Sequence, residues 1–219
     1  MDGCNTSSYL YTYKSRRALI IMIFFDADQH YYHRSRSGGI IKYCNRPFAD
    51  LEEMKETLIA NSNEVVKPKD TIIHAGDFSM GSVSQTIEII KRLNGKHIFI
   101  VSMMGGHDKV IRKISKEHPD LFECVPYVYE IMLYNKHHVT VSHYCMATWP
   151  RSHYNSWLCF AHSHCRFQSP GKTHDIGVDC NNFYPLSDIQ LIDIMNKKPD
   201  NPNYIKSRAG RKKIDIIKE

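Results

Sequence analysis

The sequence predicts an α/β protein in which two β-sheets pack face to face with helices outside. In the first half of the chain, short apolar runs alternate with helical patterns, whereas in the second half strand-like runs follow one another closely. This order is typical of two packed sheets. With 219 residues, 42% of them hydrophobic, the chain is long enough to bury one sizeable core, so one catalytic-sized domain is expected.

Strands are predicted from short apolar runs rich in β-branched and aromatic residues. The early runs are separated by helical patterns, and the late runs are close enough to pair in an antiparallel manner. The first two of the late runs join across Asn135 and Lys136 as a hairpin. The predicted strands are 18–25, 71–74, 97–101, 127–134, 139–145 and 157–162.

Helices are predicted where apolar residues recur at helical spacing. The first begins behind Asp50, because Leu51, Met54 and Leu58 follow at intervals of three and four residues. Further helices are predicted at 84–93 and 186–195. Residues 1–15 are polar and without pattern, so they are expected to form an irregular lead-in. The domain is predicted to span 16–196, followed by a basic, mobile tail at 197–219.

Charge and cysteine content limit the class of protein. The formal net charge of +6 favours anionic partners without choosing between nucleotide, nucleic acid and membrane surface. The seven cysteines are scattered and form no CxxC pair, which argues against a zinc ribbon or a disulfide framework and for reduced thiols in a cytoplasmic protein. Arg16 and Arg17 precede an apolar run that is too short to span a membrane. No membrane association is therefore expected.

Histidine and aspartate residues follow most of the predicted strands at the point where each strand ends. The carboxyl ends of neighbouring strands in an α/β sheet meet at one edge, so these side chains can converge there. Imidazole and carboxylate ligands without thiolates suit Zn²⁺, Mn²⁺ or iron. Each cluster alone is a weak signal, but their joint order predicts a metal site. The clusters are Asp28 with His30, Asp77, His107 with Asp108, His143, and His162 with His164.

The order of these clusters resembles the calcineurin-like metallophosphoesterase family, whose pattern is D-x-H, G-D, G-N-H-D/E, H and G-H-x-H. The resemblance covers Ile20 to Asn196, and the segments 40–48, 142–144 and 177–182 also resemble a small bacterial and phage-type branch of that family. It implies a sandwich of two mixed β-sheets flanked by helices, with a dinuclear metal site at one edge.

The resemblance also implies the role of each clustered residue. His107 would lie beside the phosphate, and Asp108 would orient its imidazole. The cofactors would be two divalent ions from among Mn²⁺, Fe²⁺/³⁺, Zn²⁺ and Ni²⁺. A hydroxide bridging the two ions would hydrolyse a phosphoester bond, in a phosphodiester or a nucleotide rather than in a phosphoprotein. The implied metal ligands are Asp28, His30 and His164 for the first ion, Asp77 as the bridge, and His143 and His162 for the second ion.

The family pattern is broken at Gly106, where the family has an asparagine that binds the second metal. Glycine has no side chain to coordinate an ion, so the second metal would be held less tightly. The alternative to an enzyme is therefore a non-catalytic or weakly active family member with a compromised second site, acting as a binding module.

Substrate contacts are predicted in the loop that contains Asn45 and Arg46. Arg46 could meet a phosphate oxygen with both arms of its guanidinium, or it could be a surface residue that braces Pro47 and Phe48. The expected partner is a phosphorylated small molecule or a nucleotide. The basic cluster at 206–213 could bind nucleic acid, although a solvated end is the default interpretation. His74, within the second strand, is predicted to be structural.

Overall fold

Two mixed β-sheets form the centre of the protein, as predicted. The structure is a computed structural model and describes residues 21–102 and 107–206. The elements in chain order are β1 (Ile23–Asp26), α1 (Gly39–Cys44), α2 (Leu51–Val65), β2 (Thr71–His74), α3 (Val83–Arg92), β3 (Lys96–Val101), α4 (Lys109–Glu117), β4 (Glu123–Pro126), β5 (Val128–Met132), β6 (His138–Ser142), β7 (Trp157–Phe160), β8 (Thr173–Asp175), β9 (Leu186–Ser187) and α5 (Asp188–Lys197).

The first sheet has the strand order β4-β3-β2-β1-β9, and the second has the order β5-β6-β7-β8. Strands β1 to β4 are parallel, and β9 is antiparallel to β1. In the second sheet β5 and β6 form the predicted antiparallel hairpin, whereas β6, β7 and β8 are parallel. The expectation of an antiparallel run was therefore wrong for β7. The long connection 143–156 allows β7 to enter beside β6 in the same direction.

Successive residues of these strands point to opposite faces of the sheet, and both faces are buried. This explains why the strands appear in the sequence as continuous apolar runs. In β3, Ile98 and Ile100 point into the core between the two sheets, while Phe99 packs under the helices. In β7, Trp157 contributes to the same core between the sheets, and Leu158 lies in a separate cluster with Trp149. The first sheet is thus covered on one side by helices and on the other by the second sheet.

The helix starts follow the capping rules. The side chain of Asp50 accepts hydrogen bonds from the backbone N–H groups of Glu52 and Glu53, which confirms the predicted start of α2. Helix α3 begins slightly earlier than predicted, because Ser82 and Gln85 form a reciprocal capping box. Within the described part of the chain, no helix is long and apolar enough to cross a lipid bilayer.

Several short elements were missed or displaced by the sequence prediction. Helix α5 begins at Asp188 rather than at 186, because Leu186 and Ser187 pair with β1 as strand β9. Strands β4 and β8 and helices α1 and α4 were not predicted. Strands β4, β8 and β9 have two to four residues and are too short to show a periodicity.

The end of the domain lies beyond the predicted boundary at residue 197. Asn201 is buried, and its side-chain amide donates hydrogen bonds to the carbonyl oxygens of Ser152 and Ser156. The backbone N–H of Lys172 donates to the Oδ1 atom of Asn201. Residues 198–206 therefore belong to the packed domain, while the predicted lead-in at 1–15 and the tail from 207 lie outside the described residues.

A buried polar chain crosses the first sheet at β1, β2 and β3. The Nδ1 atom of His74 lies 2.6 Å from Oδ1 of Asp26, and its Nε2 atom lies 3.0 Å from Nδ1 of His97. His74 is fully buried and its ring stacks on Phe99 with a centroid distance of 4.4 Å. Burial, with a smaller contribution from His74, lowers the pKa of His97 to about 3. The structural role predicted for His74 agrees with these contacts.

Candidate metal centre

The predicted metal ligands converge at one edge of the sandwich. Their loops follow β1 and β2 in the first sheet and β6 and β7 in the second, and these strands run parallel within each sheet. They form groups of three residues, and within each group the ligand atoms lie within 4.8 Å of one another. The groups formed by the predicted residues are Asp28–His30–His164, His30–Asp77–His107 and Asp77–His143–His162. The structure therefore contains buried histidine and aspartate groups that can hold metal ions.

Asp77 lies between two of these groups. Its Oδ2 atom is 3.5 Å from Nε2 of His30 and 3.5 Å from Nε2 of His143. Two imidazole nitrogens from different sheets thus face the same carboxylate oxygen.

The first group contains buried polar atoms that have no hydrogen-bond partner among the described residues. They are Oδ1 of Asp28 and both ring nitrogens of His30. Burial raises the pKa of Asp28 to about 7, and burial, followed by the charge of His164, lowers the pKa of His30 well below its ordinary value. Unpaired buried atoms of this kind are costly unless a ligand satisfies them. An ion at this position would do so, and the residues therefore fit a metal site.

The second group has the hydrogen bonds expected of metal-binding histidines. The Nδ1–H of His143 donates to the carbonyl oxygen of Ala75 at 2.9 Å, which directs Nε2 toward the cluster. That Nε2 atom lies 3.2 Å from Nδ1 of His162. His162 is exposed, and partial desolvation, followed by the charge of His143, lowers the pKa of its imidazole. The hydrogen bond from Nδ1–H of His143 to Ala75 selects the tautomer with its lone pair on Nε2, which is the tautomer that a metal requires.

The backbone at the cluster is strained. All of the predicted metal ligands except His143 have positive φ angles, which non-glycine residues rarely adopt. Such conformations cost free energy and concentrate at functional sites. The angles are 59° for Asp28, 53° for His30, 53° for Asp77, 68° for His162 and 47° for His164.

Two glycines allow the ligands to approach the backbone closely. A Cβ atom on Gly76 would lie 2.8 Å from Nδ1 of His143, and one on Gly177 would lie 2.9 Å from Oδ2 of Asp28. Both contacts are shorter than van der Waals distance. Gly76 also has a φ of 94°, whereas Gly177 has an ordinary backbone conformation and is needed only for space.

The variant Gly177→Ala should weaken metal binding while leaving the fold intact. The new methyl group would displace the carboxylate of Asp28, and we expect the Kd for Mn²⁺ to rise by ~10- to 100-fold, as for other disturbances next to metal ligands. Calorimetric titration of metal-free protein measures this effect. Thermal unfolding of the same sample would show that the variant is folded, and an unchanged Kd would contradict the prediction.

His107 and Asp108 lie at the cluster, but Asp108 does not have the predicted contact. The ring of His107 is 5.2 Å from that of His30 between centroids. The carboxylate of Asp108 instead accepts the backbone N–H of Asp77 at 2.9 Å and that of Ser102 at 3.1 Å. Within the described residues, no hydrogen bond joins Asp108 to His107, so the expectation that Asp108 orients this imidazole is corrected. Gly106 lies outside the described residues.

In the loop after α1, the predicted phosphate contact of Arg46 is wrong, whereas the predicted substrate contact of Asn45 stays a prediction. The side chain of Arg46 is fully buried and forms an ion pair with Asp179, with 2.7 Å between Nη2 and Oδ2. A substrate phosphate cannot reach it, and the alternative of a surface residue is also wrong. Asn45 is exposed and caps α1 in a left-handed conformation, with its backbone N–H donating to the carbonyl oxygen of Lys42.

Sequence reasoning missed Asp179 and Asp175. Asp179 accepts a hydrogen bond from Nδ1 of His164 at 2.7 Å, and Asp175 accepts from the hydroxyl of Ser163 at 2.5 Å. Both therefore hold the loop that carries His162 and His164. The segment 177–182, which already resembled the family branch, was the signal that could have revealed Asp179.

A disulfide joins the segment that contains His164 to the segment that contains Asp179. It links Cys165 to Cys180, each one residue beyond a member of the His164–Asp179 pair. The expectation that all of the cysteines are reduced thiols was therefore wrong for these two. The four free cysteines within the described residues are Cys44, Cys124, Cys145 and Cys159.

The fold and these side chains define a class of protein, namely an α/β sandwich with a buried histidine and aspartate cluster that can hold metal ions. The chain is 31% identical over 185 residues to the uncharacterized protein MJ1445 of Methanocaldococcus jannaschii, an alignment that covers 80% of this chain and 92% of that protein. The chain therefore belongs to the same family as MJ1445.

A solved structure supports the fold. The protein of unknown function AQ665 from Aquifex aeolicus superimposes with a TM-score of 0.59 at 23% sequence identity, covering 80% of this chain and 99% of that one. This similarity shows a shared architecture of two sheets with flanking helices. No family model matches the chain.

Proposed function

We propose that the protein is a metal-dependent phosphoesterase that hydrolyses phosphodiester or nucleotide bonds with two divalent cations. The observation that carries this proposal is the position of Asp77, whose Oδ2 atom lies 3.5 Å from Nε2 of both His30 and His143. One carboxylate oxygen between two imidazole groups suits a pair of ions and is not needed for a single one.

The proposed ligands form two sets that share Asp77. Nitrogen and oxygen donors without thiolate are compatible with Mn²⁺, iron, Zn²⁺ or Ni²⁺. When bound, two such ions lower the pKa of water and withdraw charge from the phosphoryl oxygens. The first set is Asp28, His30 and His164 with Asp77, and the second is His143 and His162 with Asp77.

The chain's own residues position the reacting groups. Asp108 holds the backbone N–H of Asp77 and so fixes the shared carboxylate relative to the loop after β3. His107 is close to both His30 and Asp77, where its imidazole can stabilise charge on a phosphoryl oxygen or protonate the leaving oxygen. The burial of the cluster strengthens these electrostatic interactions.

Two exposed tyrosines beside the cluster support a substrate with aromatic groups, such as a nucleotide. Tyr144 is 49% exposed, and its ring centroid lies 4.8 Å from those of His143 and His162. Tyr43 is 65% exposed and lies 6.3 Å from the ring of His164. Aromatic rings beside a phosphate site can stack on nucleobases.

The proposal is tested by measuring metal content and hydrolysis together. We expect elemental analysis to find close to two ions of Mn, Fe, Zn or Ni per chain, and we expect added Mn²⁺ to support hydrolysis of bis-p-nitrophenyl phosphate. Chelation followed by metal replacement should remove and restore the activity. Binding of no metal, or full activity after chelation, would overturn the proposal.

The second candidate is a non-catalytic or weakly active binding module. Gly106 favours it, because this glycine stands where the metallophosphoesterase pattern has an asparagine that binds the second metal. This candidate predicts one ion per chain and no turnover at saturating Mn²⁺. Nucleic-acid binding through the basic cluster at 206–213 concerns residues outside the described part, except Lys206, whose ammonium lies 3.4 Å from Asp200. A cytoplasmic location stays a prediction.

A further inference from the structure

Arg46 uses all of its N–H groups inside the protein. Its Nε donates to Oδ1 of Asp179 at 2.8 Å, and its Nη2 donates to Oδ2 of the same carboxylate at 2.7 Å. The same Nη2 donates to the carbonyl oxygen of Asp28 at 2.6 Å, and Nη1 donates to the carbonyl oxygen of Gln29 at 3.0 Å. Nη1 also contacts the sulfur of Met54 at 3.4 Å. The planar, five-donor guanidinium is the group that can satisfy this set of acceptors.

Two of these contacts fix the backbone that carries Asp28 and His30. Both residues have positive φ angles, so the loop needs external contacts to keep its shape. Arg46 holds the carbonyl groups of Asp28 and of Gln29, which lies between the two ligands. The guanidinium therefore links the strained D-x-H loop to the rest of the site.

The two contacts of Arg46 with Asp179 act on His164. The Oδ2 atom of Asp179 accepts from both Arg46 and Nδ1 of His164, each at 2.7 Å. With Nδ1 protonated, the lone pair of His164 is on Nε2, the atom available to an ion held with Asp28 and His30. Loss of the arginine would leave Asp179 free to rotate away from the imidazole.

Asp179 itself is a poor candidate for a metal ligand. Together with Cys44 and His164 it forms another group of possible ligand atoms within 4.8 Å. However, both of its oxygens already accept hydrogen bonds from a guanidinium, and a cation in contact with them would be repelled by Arg46. Its role is therefore to orient His164.

We propose that Arg46 is the positioning residue of the first metal group, because it fixes Asp28 and His30 through their backbone and His164 through Asp179. This inference rests on the proposed function only in requiring that the first group binds a metal ion. Substrate does not contact Arg46, so the residue acts on metal affinity rather than on substrate affinity.

Calorimetric titration of metal-free protein with Mn²⁺ tests the proposal without any assay of activity. The His143→Ala background removes a ligand of the second group, so that binding at the first group is measured. In that background, Arg46→Lys should raise the Kd by ~10- to 100-fold, because lysine cannot reproduce the fork of donors. The matched control is Arg92→Lys. Arg92 forms a two-pronged ion pair with Glu56 away from the cluster, so its replacement should leave the Kd unchanged.

Asp179→Asn provides a second variant if Arg46→Lys does not fold, as judged by circular dichroism. Asparagine keeps the shape of the side chain but weakens the contacts with both Arg46 and His164, so the Kd should again rise, by ~10-fold or more. An unchanged Kd in a folded Arg46→Lys or Asp179→Asn protein would overturn the positioning role while leaving the proposed function intact. Absence of Mn²⁺ binding in the unmodified protein would overturn both.

Discussion

Replacing Asp77 by asparagine should reduce the rate of phosphodiester hydrolysis by on the order of 10³-fold, because several kcal/mol of metal-dependent stabilisation would be lost. The carboxylate oxygen between His30 and His143 would become an uncharged amide group, which bridges two cations poorly. We expect the metal content to fall from two ions toward one or none. Hydrolysis of bis-p-nitrophenyl phosphate and elemental analysis of the same sample measure both effects.

The matched control for this prediction is Asp193→Asn. Asp193 lies on the exposed face of α5 and pairs with Lys197, so its replacement should change neither activity nor metal content. Metal-free Asp77→Asn should not be less stable than the unmodified protein, because the charge of Asp77 opposes ionisation of the buried Asp28. Retention of activity by Asp77→Asn would exclude a bridging role for this carboxylate.

Replacing Asp26 by alanine should lower the free energy of unfolding by ~1 to 3 kcal/mol, because it removes a hydrogen bond from a buried polar partner. That partner is His74, which is fully buried and lies 2.6 Å from Asp26. For a protein of this size, the midpoint of thermal unfolding should fall by roughly 2 to 4 °C per kcal/mol. Chemical denaturation at constant pH measures the change directly.

A double replacement separates loss of the hydrogen bond from loss of packing. In Asp26→Leu combined with His74→Phe, both polar groups are removed, and the new ring can pack beside Phe78 and Phe99. Replacement of a buried polar pair by apolar groups is often close to neutral. Nδ1 of His97 loses its contact with His74 in the double variant, so we expect the double variant to lose less stability than the sum of the two single variants. Additive losses would show that the pair is not coupled.

The sequence was sufficient to predict the fold class and the convergence of the clusters because both depend on local patterns. The runs at Thr71–His74 and in β3 are apolar on both faces, which occurs where a strand is covered on both sides. Asp28, Asp77 and His143 follow the ends of their strands, and strand direction alone brings such positions to one edge.

Contacts between distant segments were not predictable in the same way. The burial of Arg46 depends on Asp179, which is far away in the sequence, and the residue therefore looked like an exposed phosphate ligand. Asp108 was expected at an imidazole and instead holds the backbone of Asp77. A side chain's partner is decided by the packing of the two sheets, and a pattern of residue types along the chain does not contain that information.

The division of the ligands between the two sheets has a consequence for folding. Asp28, His30 and Asp77 follow strands of the first sheet, whereas His143, His162 and His164 follow strands of the second. Neither half of the chain holds a complete set of the proposed ligands, so in the proposed arrangement tight metal binding would follow the docking of the sheets. Contacts between such distant segments carry a loop-closure entropy cost and form late. During synthesis, a nascent chain that has not yet emerged through β7 would lack His162 and His164, and the ion would be among the last components to join the folded molecule.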